Sequence, residues 1–101
     1  DAPVSGGVMG AENATLTFMV GGTNAAFTAA EPILKRMGRA AIHCGEAGAG
    51  QAAKACNNMI LAATMIVTCE AFVLAEKLGL SHQALFDVVS NSSGNSWAMS
   101  T

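Results

Sequence analysis

Hydrophobic and polar positions follow two rhythms along this chain, and the change falls near Gly45. Upstream, short apolar runs are punctuated by glycine. Ala2–Ser5 runs into Gly6-Gly7 and predicts a buried strand that ends in a glycine turn. Gly10–Ala14 is expected to be loop. Leu16–Val20 is rich in strand-forming residues and stops at Gly21-Gly22, which predicts a second strand. Asn24 is a candidate N-cap for a helix over Ala25–Met37, where Phe27, Ala30, Ile33, Leu34 and Met37 recur at helical spacing before Gly38 ends it. Pro32 lies inside that pattern and marks either a kink or the true first turn. Ala40–Cys44, closed by Gly45, is a third strand candidate.

Downstream, Gly48–Lys77 has no proline, and no glycine after Gly50, and it predicts one long helix. Such a helix spans ~45 Å at 1.5 Å per residue, whereas a compact chain of this length has a radius of gyration of ~13 Å. Its apolar residues (among them Met59, Ile60, Met65, Ile66, Phe72 and Leu74) run almost all the way round. A helix apolar on every side is buried on every side, so burial between domains and against another subunit is expected. Leu78-Gly79-Leu80 stops the helix, Ser81 caps a shorter one over His82–Ser90, and Asn91–Gly94 is a turn. Asn95–Thr101 carries no decisive pattern. The uncharged run Ala55–Cys69, bounded by Lys54 and Glu70, is fifteen residues long. A membrane span needs ~20, so a buried helix of a soluble protein is expected, with no membrane partner.

Composition narrows the class. Of 101 residues, 51% are hydrophobic and only 12% charged, which excludes intrinsic disorder. The net charge of −2, with five scattered basic residues, argues against nucleic acid as a partner. Cys44, Cys56 and Cys69 form no CxxC and cannot all pair, so buried thiols in a reducing compartment are expected. With His43 or His82 they show no metal-ligand spacing, and no metal site is expected. High apolar content on a short chain, a start at Asp1 and an end just past a Gly/Ser/Asn-rich turn together predict a segment of a larger protein.

Three patterns could carry chemistry. Gly48, Gly50 and Ala53 fit a GxGxxG/A dinucleotide fingerprint, with Glu70 about twenty residues on. That fingerprint needs the acid at the end of a second strand, and Glu70 is expected in mid-helix with no strand after it. The glycines are therefore expected to let backbones pass closely at a helix start. Lys54 and Asn58, four apart, share one helical face in an apolar surround. Such a lysine meets water, a counter-charge or a ligand, and spacing alone leaves a solvated head and a functional amine equally open. Ser5-Gly6-Gly7 is either an ordinary tight turn or a set of approachable amides suited to a carboxylate. His82 is expected to be an exposed helix-start residue. Trp97, the single Trp, is a core anchor or a pocket wall.

Together, Asp1-Ala-Pro-Val-Ser5-Gly6-Gly7, Leu16-Thr-Phe-Met-Val-Gly-Gly22, Gly45-x-x-Gly48-x-Gly50-x-x-x-Lys54-x-x-Asn57-Asn58 and Asn91-Ser-Ser-Gly94-x-Ser-Trp97 resemble the β-hydroxyacid dehydrogenases. The resemblance implies an α/β segment followed by an all-α one. Residues 1–44 would end a Rossmann-type nucleotide-binding domain, and residues 45–101 would begin a helical domain through the long helix at about 48–78. It implies an NAD-dependent oxidoreductase, with NADP not excluded, acting on a small hydroxy acid. That acid is 3-hydroxyisobutyrate, oxidised to methylmalonate semialdehyde, or the substrate of a relative acting on serine, tartronate semialdehyde, glyoxylate or succinic semialdehyde. It implies Lys54 as catalytic acid/base, Asn58 as substrate holder and support for that lysine, and Ser5, Gly6 and Gly7 as the carboxylate site. A homo-oligomer is implied, in the cytoplasm of a bacterium or the mitochondrial matrix of a eukaryote. The segment alone, without an N-terminal dinucleotide fingerprint, is expected to be inactive. A non-catalytic oligomerisation module is the alternative of another class.

Overall fold

The structure is a computed structural model, and it describes residues 1–100. The elements in order are β1 (Val4–Ser5), α1 (Gly7–Glu12), β2 (Leu16–Gly21), α2 (Asn24–Met37), β3 (Gly38–Gly45), α3 (Ala49–Lys77), α4 (His82–Ser90) and α5 (Trp97–Ser100). It is an α/β segment followed by an all-α one, as the motifs imply. Two compact units divide inside α3, between Asn57 and Asn58.

The first unit is built on a three-stranded sheet in the order β1-β2-β3. β3 pairs with β2 in parallel, and α2 supplies the crossover that a parallel pair requires. β1 pairs with β2 antiparallel, Val4 opposite Phe18 and Ser5 opposite Thr17. The pairing continues upstream of Val4: the Met19 amide donates to the Pro3 carbonyl (2.9 Å), and Asp1 and Gly21 exchange both bonds (3.0 and 2.8 Å). Central β2 is buried on both faces, which explains an apolar run interrupted only by half-buried Thr17. Leu16, Phe18 and Val20 form the core cluster, against which Val4, Phe27, Leu34 and Ala41 pack.

Pro3 has no N–H, so the ladder lacks the bond that would return to the Met19 carbonyl. Gly50 of α3 lies against that same carbonyl. A Cβ placed on Gly50 would overlap the Met19 oxygen, so only glycine lets the helix start lie there. The expectation of closely passing backbones at this glycine is met.

Several local expectations change. Gly10–Glu12 of the expected loop belong to α1, a helix with two glycines in six residues, in which buried Gly10 lies against Leu16 of β2. The cap of α2 is Thr23, whose Oγ1 accepts from the Ala26 amide at 3.1 Å, and Asn24 is the first helical residue. α2 runs through Pro32 without ending. α5 was not predicted, and it buries Met99.

In the second unit, Ser81 Oγ accepts from the Ala84 amide at 3.1 Å and caps α4. The end of α3 closes with the Leu80 amide on the Ala75 carbonyl and the Gly79 amide on the Glu76 carbonyl (2.9 and 3.1 Å), a Schellman-type stop. His82, exposed at the start of α4, pairs with Glu76 at 3.0 Å and meets Phe72 edge-on.

This chain shields α3 on one side only. Leu61, Thr64, Thr68, Phe72 and Ala75 form one shielded stripe at three- and four-residue spacing. Met59, Ile60, Met65, Ile66, Val67, Val73 and Leu74 are exposed. All-round burial is thus not found within the chain. By length and composition alone α3 could also cross a membrane. The fifteen-residue argument counted only the uncharged run, whereas the helix has 29 residues. The three cysteines are exposed and free rather than buried, because the surfaces carrying them are not covered by this chain.

Replacing Gly50 by Ala is expected to destabilise the full-length protein by about 1–3 kcal/mol, since overpacking here pushes against backbone. A lowered urea midpoint with an unchanged slope is the result to look for.

Candidate active site

The site is built on β1. In its antiparallel pairing, Asp1, Pro3 and Ser5 turn their backbone groups toward β2, and Val4 turns its carbonyl to the other side. The Lys54 ammonium, half-buried on α3, donates to that Val4 carbonyl. The amine thus stands beside the residue that precedes Ser5-Gly6-Gly7.

α3 is held alongside β1 by a second contact. Asp1 Oδ1 accepts from the Gly48 amide at 2.7 Å, and Oδ2 accepts from the Gln51 amide at 2.9 Å. The first amides of a helix have no partners within it and carry partial positive charge, so a carboxylate there satisfies two donors and opposes the helix dipole. The residues just before α3, Glu46-Ala47-Gly48, supply no side-chain cap, and the cap comes instead from the far end of the unit. Sequence reasoning missed Asp1. The available signal was a long helix whose start lacks its own Ser, Thr, Asp or Asn.

This contact also disposes of the apparent dinucleotide fingerprint. The amides of Gly48 and Gln51 already hold an anion where a pyrophosphate would sit. Glu70 lies within α3, and no strand follows it among the described residues. The start of α3 is therefore not a pyrophosphate cradle of the GxGxxG type.

Ser5 ends β1 half-buried. Gly6 and Gly7 are exposed, with φ of +136° and +63°, and no side chain caps the α1 helix they open. Among the described residues the ion pairs are Lys35–Glu31 and His82–Glu76, and neither involves Lys54. The Lys54 charge therefore rests against a neutral carbonyl, an arrangement that favours an incoming anion.

Asn58 follows Lys54 by one turn of α3, on the same helical face, and lies past the division between the units. Trp97 opens α5 at 62% exposure and is no core anchor within this chain. His43 is structural: its Nε2 donates to the Gly22 carbonyl at 2.8 Å and its ring stacks on Phe27. Among the described residues no cluster of His, Cys, Asp or Glu could hold a metal.

Comparison with known proteins gives the class first. Residues 1–48 match the NAD binding domain of 6-phosphogluconate dehydrogenase, and residues 48–101 match the NAD-binding segment of NADP-dependent 3-hydroxyisobutyrate dehydrogenase. Both are nicotinamide-dinucleotide-binding parts of dehydrogenases. The chain belongs to the β-hydroxyacid dehydrogenase family, in its 3-hydroxyisobutyrate dehydrogenase group. A probable 3-hydroxyisobutyrate dehydrogenase of Mycobacterium bovis is 62% identical over all 101 residues, which span 34% of that protein. The mitochondrial 3-hydroxyisobutyrate dehydrogenase of Homo sapiens is 50% identical over 101 residues, 100% of this chain and 30% of its own length. A solved structure of the Mycobacterium tuberculosis 3-hydroxyisobutyrate dehydrogenase with L-serine superposes with a TM-score of 0.89 at 63% identity, covering 97% of this chain and 34% of that one. The chain thus spans about a third of the length of the curated relatives it matches, which include bacterial and mitochondrial proteins.

Gly6→Ala is expected to strain the turn at φ +136° and to press its Cβ on Leu16 Cδ2 at 3.1 Å. A loss of about 1–3 kcal/mol, together with a raised KM for the acid substrate of the full-length protein, would register the disturbed turn.

Proposed function

We propose that the full-length protein is an NAD(P)-dependent dehydrogenase that oxidises the hydroxyl of a small β-hydroxy acid, with 3-hydroxyisobutyrate as the first substrate to try. The observation that carries this reading is the half-buried Lys54 ammonium, held by the Val4 carbonyl beside Ser5-Gly6-Gly7 without a carboxylate partner among the described residues. L-serine on the Mycobacterium tuberculosis relative supports a small hydroxy acid as the substrate class.

Lys54 acts as the acid/base. As a neutral amine it keeps an N–H on the Val4 carbonyl, and that anchor aims its lone pair at the substrate hydroxyl. It removes the hydroxyl proton as the carbonyl forms, and in reduction it returns that proton to the developing alkoxide. When bound, the nicotinamide cofactor supplies the hydride acceptor. The Ser5 hydroxyl and the amides of the Gly6-Gly7 turn hold the substrate carboxylate. Asn58 holds the substrate from the next turn of α3 and supports the lysine.

The domain assignment belongs to the same proposal. Residues 1–44 end the nucleotide-binding domain, and residues 45–101 open the helical one. The exposed apolar side of α3 is covered in a homo-oligomer and by the rest of the enzyme. The enzyme works in the cytoplasm of a bacterium or the mitochondrial matrix of a eukaryote.

In the full-length enzyme, Lys54→Ala is expected to lower kcat roughly 10²–10⁴-fold with the melting transition retained. Lys54→Arg keeps the charge and the donor but cannot give up its proton, so it should be nearly as slow. Near-normal turnover by both variants would sink the assignment.

A further inference from the structure

We infer that Asp1 is a positioning residue for the Lys54 amine, a role that rests on the reading of Lys54 as acid/base. β1 and α3 touch at two anchor points. Asp1 binds the Gly48 and Gln51 amides at one, and three residues further along the strand the Val4 carbonyl receives Lys54. Strand residues advance ~3.4 Å each, so Asp1 and Val4 are ~10 Å apart along β1. Gly48 lies just before α3 and Gln51 in its first turn. Helix residues advance ~1.5 Å and turn ~100° each, so Lys54, three residues after Gln51, is ~4.5 Å further along on the same side of the helix, and the Asp1 contact sets the axial position and rotation with which Lys54 meets Val4.

A slip of one residue would swing Lys54 about a quarter-turn away from Val4. Nothing local at the start of α3 replaces Asp1, because Glu46, Ala47 and Gly48 give no side-chain cap. Gly50, seated on the Met19 carbonyl, limits how near α3 can come without tying down its rotation. The Asp1 carboxylate touches two backbone amides, so its effect on the reaction passes through the placement of Lys54.

The test is a double-mutant cycle in the full-length enzyme with 3-hydroxyisobutyrate and NAD. A misplacement of ~1 Å costs up to ~10²-fold. Asp1→Ala is therefore expected to lower kcat roughly 10–100-fold while KM for the hydroxy acid and for NAD changes little. Asp1→Asn keeps one acceptor oxygen and should recover part of that loss. In a Lys54→Ala background, Asp1→Ala should cause no further loss, since no amine remains to be placed. Wild-type kcat in folded Asp1→Ala, or losses that multiply in the double variant, would overturn the inference. If Asp1→Ala does not fold, Asp1→Asn alone and with Lys54→Ala carries the same comparison. Full activity in Lys54→Ala by itself would instead defeat the acid/base reading, so the two failures are told apart.

Discussion

A carboxylate at the start of a helix organises the first half of this chain. Asp1 meets the Gly48 and Gln51 amides at the start of α3, 47 and 50 residues further along the chain, and in doing so it ties the last helix of the unit to its first strand. Two charge-assisted bonds to otherwise orphaned amides, in the field of a 29-residue helix, stabilise the junction by an amount typical of a good cap, about 1 kcal/mol. That energy is modest. Its structural effect is larger, because a helix is rigid about its axis and every side chain on it inherits the setting of the first turn.

The neighbouring interactions agree with this one. Pro3 withholds a donor, Gly50 withholds a side chain, and the helix start fits between them against Met19. Val4 turns its carbonyl away from β2 and receives the amine of Lys54. Each local choice supports the same placement, which is the consistency expected of a sequence that specifies one structure. The amine is thereby held next to a glycine turn without being neutralised by an acid.

Much of this was legible in the residues. β2, α2, β3 and α3 announce themselves as apolar runs bounded by glycine, and the Gly79 stop and Ser81 cap are local signals that the hydrogen bonds bear out. The glycines opening α3 could be separated from a dinucleotide loop because Glu70 had no second strand to end. α1 was illegible because Gly7 and Gly10 carry no helical preference, and Gly10 lies against Leu16. Thr23 and Asn24 are both competent caps, and only the Ala26 contact distinguishes them. Asp1 was illegible for a deeper reason: its partners lie at the other end of the unit, and no window of neighbouring residues contains both. The apolar circumference of α3 was legible in the letters, but which side this chain shields was not, because the stripe from Leu61 to Ala75 is no more apolar than the exposed turns around it.

Pro3 and Gly50 sit at opposite ends of the first unit, yet they answer to the same oxygen atom. An imino acid at one place and a missing side chain at the other are two halves of a single solution. A side chain at position 50 would strike that oxygen whatever residue stands at position 3, so the glycine should be the less replaceable of the two as the chain evolves.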